Sequence, residues 1–368
     1  MMSARFLTVV LERAFNMRDG FGREIDYMRI SVIDSCNLNC YYCNPCDNNE
    51  HCHALNILSV KEVLCIVRAA TRLGIKHFRL TGGEPLLHPQ LDEMVLQIKK
   101  IPGVSSVSLT TNAVLLAQHA KWLKEAGIDS INVSLDTIDA SEYEHITKKP
   151  LLHKVEHGID AAIECGIRVK INVVLTPQTD VVALTRYASK KGTDIRFIEM
   201  MPVGEGHTNG VEPYEKVIGA LLEVYGTPCH IDTENREEIN SGYNNSDNGP
   251  AEYYSFHGLN IRVGLIQAIH GKFCDTCNRI RVTADGRLMP CLGSSVTMDL
   301  VPDSCEFTDD LEKDFVIVQA LKAAIKAKPG CHNFNDNAVT YTKTTETKTT
   351  EIEAAEVNAA RNMSRIGG

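Results

Sequence analysis

Three cysteines, Cys36, Cys40 and Cys43, stand in the string CNLNCYYC. Three thiolates grouped this tightly suit a 4Fe–4S cluster, and three ligands for four irons leave one iron open to a substrate or cofactor. A structural zinc site fits poorly, because it ordinarily takes four ligands and no histidine pair matches. A second set follows much later, Cys274-x2-Cys277-x13-Cys291. Taken alone it could be part of a zinc ribbon whose fourth ligand is Cys305 or His270. The chain has 13 cysteines and no export signal, so they are expected to be free, metal-bound or catalytic and not disulfide-paired. Cys65 and Cys165 fall within helical patterns and read as core residues.

Basic residues form the second chemical signal. Arg29, Arg79, Lys170 and Arg196 stand on strand-like runs, and Arg279 and Arg281 lie between cysteines of the second set. A lone arginine on such a strand is ordinarily a satisfied ion pair, whereas several converging on one mouth are harder to account for in that way, and the planar guanidinium fork suits phosphate if such a ligand is present. Glu84 in GGEP and Asp136 in SLD read equally well as cap or turn residues. The GGEP turn lacks the ending of a phosphate-binding P-loop, so recognition of phosphate would rest on side chains.

The elements that must carry these residues alternate. Strand-like runs at 27–33, 75–80, 104–109, 128–135, 167–175 and 194–200 are separated by helical patterns. Ser59 and Glu62 form a capping-box pair ahead of apolar residues at helical spacing, and Gly74 ends that helix. The expected fold is therefore α/β, a partial (βα)6 TIM-like barrel with a parallel sheet and right-handed crossovers. In such folds chemistry gathers at the C-terminal ends of the strands. The first thiol triplet, TGGEP, TTN, SLD and EMMP all fall at those ends. Residues 1–232 are expected to form the barrel and 233–339 a smaller C-terminal domain with the second cysteine set. Residues 340–360 read as a threonine-rich linker and short helix, leading to a tail at 361–368.

Composition sets limits. The chain has 368 residues, 43% hydrophobic and 23% charged, with a net charge of -9. Its pI near 5.8 argues against bulk electrostatic binding of nucleic acid. No apolar run approaches the ~18 residues of a membrane span. A cytoplasmic location is expected.

CNLNCYYC followed by TGGEP resembles the radical S-adenosylmethionine superfamily. GRxxDYMRISVIDSC, SLTTN, NVSLD, VKINVV, RFIEMMPVGEG, FCDTCNRIRVTADGRLMPCL and the terminal IGG extend the resemblance to the GTP 3′,8-cyclase family of molybdenum cofactor biosynthesis. The resemblance implies a radical SAM barrel, two 4Fe–4S clusters and S-adenosylmethionine as cofactors, and GTP as substrate. It assigns Cys36, Cys40 and Cys43 to the first cluster, and Cys274, Cys277 and Cys291 to an auxiliary cluster whose open iron binds guanine. It places Tyr42, Gly83, Ser134 and Met201 at S-adenosylmethionine, and Arg29, Arg79, Thr110, Lys170, Arg279, Ile280 and Arg281 at GTP. Arg196 matches an active-site arginine, and Gly367 and Gly368 match a double-glycine tail that assists the reaction. The implied chemistry is a 5′-deoxyadenosyl radical that removes hydrogen from C3′ of GTP, followed by attack of C3′ on C8. The product would be (8S)-3′,8-cyclo-7,8-dihydroguanosine 5′-triphosphate. Implied partners are an electron donor, a second copy in a homodimer, and the downstream cyclic pyranopterin monophosphate synthase.

The sequence departs from the family pattern at three places. Asn44 stands where methionine is usual, Ala113 where glycine follows TTN, and His77 where a phosphate-binding lysine is common. Cys46 and Cys52 have no assigned role. Two alternatives stay open: a radical S-adenosylmethionine enzyme that modifies peptide or RNA, and a non-catalytic iron–sulfur relative.

Overall fold

The computed structural model describes residues 17–43, 56–203, 211–231, 249–294, 296–300, 310–332 and 334. Six strands run parallel in chain order: β1 (Tyr27–Ser31), β2 (His77–Thr81), β3 (Ser106–Thr111), β4 (Ser130–Ser134), β5 (Arg168–Val174) and β6 (Asp194–Ile198). Each falls on its expected run, and β2 and β3 extend one and two residues further. The strands are readable because their helix-covered face is built of buried β-branched residues, while the other face carries the polar side chains of the cavity. Isoleucine and valine at positions such as Ile131, Val133, Ile171 and Val173 are fully buried. Each such side chain contributes about 1.5–3 kcal/mol by leaving water.

The helices on the outside are α1 (Val60–Thr71), α2 (Leu91–Lys99), α3 (Leu116–Glu125), α4 (Ala140–Thr147), α5 (Leu152–Glu164) and α6 (Val181–Lys191), followed by α7 (Pro213–Tyr225) and α8 (Asp310–Lys326). The capping box at Ser59 and Glu62 forms as expected: Glu62 accepts from the Ser59 backbone N–H at 2.8 Å and donates its own N–H to Ser59 Oγ at 3.3 Å. Val63, Ile66, Val67 and Ala70 of α1 then face the core. None of the helices among the described residues is long and apolar enough to cross a membrane.

Beyond residue 202 the chain extends the same sheet at both edges. β7 (Cys229–Ile231) and β8 (Glu252–Ser255) are antiparallel to one another, and β8 is antiparallel to β9 (Val263–Ile266), which adds in parallel beside β6. At the other edge β10 (Arg279–Val282) adds in parallel beside β1, followed by antiparallel β11 (Arg287–Met289) and β12 (Met298–Asp299). The order is β12-β11-β10-β1-β2-β3-β4-β5-β6-β9-β8-β7, an open sheet with no pairing between its ends among the described residues. The boundary expected near residue 232 falls between the paired strands β7 and β8, so the sheet continues across it. The linker and tail expected at 340–368 lie outside the described residues.

Ala113 takes φ +62°, so the tight turn after TTN forms with alanine in the left-handed region. That conformation costs an L-residue about 1–2 kcal/mol. It is held by an N–H bond to Thr111 Oγ1 at 3.0 Å and by the close approach of Gly158, where a Cβ would lie 2.4 Å from Ala113 O.

Candidate active site: two thiol triplets on one arginine-lined cavity

A single deep cavity opens at the C-terminal ends of the parallel strands, and both thiol triplets line it. The first triplet hangs on the segment after β1. Val32 donates to Thr81 O at 2.9 Å, Gly83 to Ile33 O at 2.7 Å and Glu84 to Ser35 O at 2.8 Å, which lashes this segment to the GGE turn after β2. A Cβ on Gly82 would lie 2.3 Å from Ile33 O, and one on Gly83 would lie 2.2 Å from Ser35 O. The two glycines are therefore required first by the chain's own backbone. Asn39 and Tyr41 donate to Thr147 O and Ile146 O, fastening the far end of the loop to α4.

Polar side chains complete the frame. Glu84 accepts from Thr111 Oγ1 and the Asn112 N–H at 2.7 Å each, and from the Leu86 N–H at 3.0 Å. It has a structural role, and burial raises its carboxyl to about 7. Tyr42 donates to Asp136 Oδ2 at 2.5 Å while Val174 N–H donates to Asp136 Oδ1 at 2.8 Å. Asp136 thereby joins the cysteine loop to β4 and β5, which resolves its open reading in favour of a positioning role. The Leu38 N–H points at Cys36 Sγ at 3.5 Å, and Asn112 Nδ2 lies 3.7 Å from it.

Burial holds the thiols protonated in the free protein. It is the largest cause for all three: Cys36 is pushed up to about 11, Cys43 to about 12, and Cys40 also upward, with neighbouring thiols and carboxylates adding to the effect. Metal ligation requires thiolates, so loading this site releases protons.

Cys274 opens a short 3-10 turn (Cys274–Thr276) in the crossing from β9 to β10, Cys277 precedes β10 and Cys291 follows β11. Arg23 anchors this region: Nε donates to Asp19 at 2.6 Å, Nη1 to Cys274 O at 2.6 Å and Nη2 to Pro329 O at 2.6 Å. Lys328 Nζ donates to Arg279 O at 2.8 Å and Pro290 O at 2.9 Å. Burial would raise the Cys277 thiol, but Lys328 and Arg279 outweigh it and leave it below its ordinary value. His270, whose Nδ1 is bonded to Glu199, does not line the cavity that holds the three thiols. Cys305 lies outside the described residues. Among the described residues no trio of histidine, cysteine, aspartate or glutamate side chains closes around a single ion. The ligands of a 4Fe–4S cluster bind separate irons and do not have to. Two three-thiol sets with N–H groups and cations facing the sulfurs fit such clusters.

Between the triplets the wall is cationic. Arg29, Arg79, Arg196, Arg279, Arg281 and Lys328 line it against two carboxylates, Asp136 and Glu199, in a chain of net charge -9. Arg281, Arg29 and Arg79 occupy one rung across β10, β1 and β2. Burial first, then mutual repulsion, depresses Arg29 far below its usual range and Arg281 to about 10. Tyr27 stands among them, accepting from Arg79 Nε at 2.5 Å. Burial would raise its phenol, but Arg79, Arg29 and Arg279 hold it down at about 8. Among the described residues three buried polar atoms at this wall lack a hydrogen-bond partner: Thr110 Oγ1, Asn132 Oδ1 and Arg196 Nη2. Buried polar groups rarely go unpaired, so these mark places for a ligand's polar atoms.

Of the residues expected in the site, Tyr42, Gly83, Ser134, Met201, Arg29, Arg79, Thr110, Arg196, Arg279 and Arg281 all line the cavity. Lys170 lies on the same face of β5 one step deeper, below Asn172, and is almost fully buried. Ile280 does not line the cavity: its side chain is fully buried in the apolar core because β10 alternates. His77 also sits below the cavity lining, bonded through Nδ1 to Ser106 Oγ at 2.8 Å. Asn44, Cys46, Cys52, Gly367 and Gly368 lie outside the described residues. Arg23, Tyr27, Asn132 and Lys328 had no signal that singled them out, since their partners are remote in sequence.

Two family profiles match the chain. "Radical SAM superfamily" covers residues 30–185 and "Molybdenum Cofactor Synthesis C" covers residues 193–334. The chain is similar to the GTP 3′,8-cyclase of Clostridium perfringens, with 36% identity over 86% of this chain and 95% of the relative. The GTP 3′,8-cyclase of Listeria monocytogenes is 37% identical over 86% of this chain and 92% of its own length. Among solved structures, Streptococcus suis SuiB superposes with a TM-score of 0.54 at 16% identity, covering 86% of this chain and 69% of that one. A structure of anSMEcpe with bound AdoMet gives 0.51 at 18% identity, covering 82% and 83% of the respective chains. These two likenesses bear on the fold alone.

Proposed function

The chain belongs to the GTP 3′,8-cyclase family, radical S-adenosylmethionine enzymes of molybdenum cofactor biosynthesis, and from that premise we propose how its residues divide the work. Its reaction is the cyclisation of GTP, and its cofactors are two 4Fe–4S clusters and S-adenosylmethionine. Cys36, Cys40 and Cys43 hold the first cluster, and Cys274, Cys277 and Cys291 hold the second. When bound, the first cluster with S-adenosylmethionine supplies a radical that removes hydrogen from C3′ of GTP, which allows C3′ to join C8.

The protein's own part is positioning and shielding. Gly83, with Tyr42, Ser134 and Met201, shapes the space beside the first triplet. Arg29, Arg79, Arg279 and Arg281 receive the triphosphate, which relieves the repulsion that burial imposes on them. Thr110, Asn132 and Arg196 offer unpaired polar atoms to the nucleoside. The observation that carries this reading is the six-to-two excess of cations over carboxylates in a cavity lined by both thiol triplets. Incubation of the reconstituted protein with GTP, S-adenosylmethionine and dithionite tests it. The cyclised nucleotide is the expected product, and 5′-deoxyadenosine without it would overturn the substrate assignment.

Lys170 gives a pH signature. Burial, then Arg196 and Arg168, lower its amine to about 5, so it is neutral at pH 7. A bound triphosphate favours its charged form. GTP binding should therefore take up a proton, and affinity should fall as pH rises from about 5 toward the ordinary lysine range. Calorimetry at pH 8 in two buffers of different ionisation enthalpy should show proton uptake that is larger in the wild type than in Lys170→Met, the remainder in the variant belonging to Tyr27, whose phenol stands at about 8. Equal uptake in both would remove Lys170 from this role.

Gly367 and Gly368 are proposed to assist the reaction from the tail. Changing both to alanine should reduce product formation more than GTP binding, and an equal loss of both would contradict the assignment. An external electron donor, a homodimer, hand-over to cyclic pyranopterin monophosphate synthase and a cytoplasmic setting complete the proposal, the last consistent with reduced thiols.

A further inference from the structure

Lys328 follows α8 and is 3% exposed. Its ammonium carries three N–H donors. Two meet the carbonyls of Arg279 and Pro290 at 2.8 and 2.9 Å, and the ammonium is close enough to Cys277 for its charge to act on that sulfur. These two acceptors belong to the two segments that carry thiols: Arg279 is two residues past Cys277, and Pro290 immediately precedes Cys291. Among the described residues no carboxylate forms an ion pair with Lys328. A buried ammonium is costly without a compensating anion. Here the available anions are the cysteine sulfurs. Arg23 fixes the lysine's own segment through Pro329 O at 2.6 Å and Gly330 O at 3.0 Å, so the charge is held from both sides.

We propose that Lys328 is a positioning residue of the second thiol site, whose fixed positive charge beside Cys277 raises the reduction potential of the cluster held there. The proposal rests on the assignment of a second 4Fe–4S cluster to Cys274, Cys277 and Cys291. Charge and hydrogen bonds to the sulfurs are among the determinants of such potentials. A cation there stabilises the reduced, more negative state, so that the second site takes up an electron more readily than it would without Lys328.

The test uses the full chain, reconstituted anaerobically with iron and sulfide, in a Cys36→Ser, Cys40→Ser, Cys43→Ser background so that only the second site is filled. Iron per chain is counted, and the midpoint potential is followed by electron paramagnetic resonance for Lys328, Lys328→Met and Lys328→Arg. Lys328→Met should bind about four irons with a more negative midpoint. The shift should correspond to at least a tenfold change in the one-electron equilibrium, about 59 mV. Lys328→Arg should stay closer to the unsubstituted protein. An unchanged midpoint in Lys328→Met, or equal shifts in Met and Arg, would overturn the charge role. If Lys328→Met fails to fold or to load, Lys328→Gln against Lys328→Arg makes the same decision. Failure of the background itself to bind iron, with its fold intact by circular dichroism, would instead overturn the second-cluster assignment, and the proposal with it.

Discussion

Cys274→Ala retains reductive cleavage of S-adenosylmethionine and loses GTP conversion by at least about a thousandfold, on the scale that positioning supplies in proximity-driven steps. The expectation follows from the separation of the two thiol sets. Cys36, Cys40 and Cys43 are fixed by bonds to the GGE turn, Asn112 and α4, none of which involves the crossing from β9 to β10. Cys274 belongs to that crossing and is held by Arg23. Losing its sulfur removes a ligand of the site proposed to hold guanine and leaves the frame of the first triplet whole. Measuring 5′-deoxyadenosine and cyclised nucleotide in one reaction decides the matter. Loss of both products with the first-site iron still present would refute the division of labour.

Gly83→Ala produces the opposite pattern, loss of the first site with retention of the second. The added methyl would stand 2.2 Å from Ser35 O, 2.5 Å from Ser35 C and 2.6 Å from Asp34 O. All three are backbone atoms, so no rotamer change relieves the overlap. The segment must move away and break the bonds from Gly83 to Ile33 O and from Glu84 to Ser35 O. Overpacking and two lost hydrogen bonds together cost roughly 2–5 kcal/mol. Cys36 follows Ser35 directly, so the displacement reaches the ligand. Iron per chain should fall from about eight to about four, with S-adenosylmethionine cleavage abolished. A variant with about eight irons and unimpaired cleavage would show that the GGE turn does not set the position of the cysteine loop.

The parts of the molecule legible in the sequence are those governed by short-range pattern. Six strands announce themselves by β-branched runs, α1 by its capping box, and the site by charged residues on strands whose neighbours are apolar. Ile280 shows the limit of reading a motif as a block, since strict alternation along Arg279-Ile280-Arg281 already places its side chain on the opposite face. The long-range pairings were not legible. β10 carries two arginines in four residues and β9 is four residues long, so neither advertises itself as an extension of the barrel sheet. Lys328 and Arg23 act through carbonyls remote in sequence, and no local periodicity encodes such contacts. His77 is a related case: its place along the strand, below Arg79 and outside the cavity lining, is a matter of depth, which spacing alone does not reveal.

The sheet order also governs how the chain comes to be folded. Tyr27 pairs with Arg279, so the outer edge of β1 must wait for residues made much later before its hydrogen bonds are met. On the other side, β6 waits for β9. During synthesis a chain that has completed six strand–helix units still exposes two unpaired strand edges, the feature through which sheets associate wrongly. Covering those edges and bringing in the second thiol set are accomplished by the same crossing from β9 to β10. Biogenesis of the nucleotide-binding half and protection of the nascent barrel are thus one event, and a chain truncated before residue 263 is exposed to aggregation as well as being inactive.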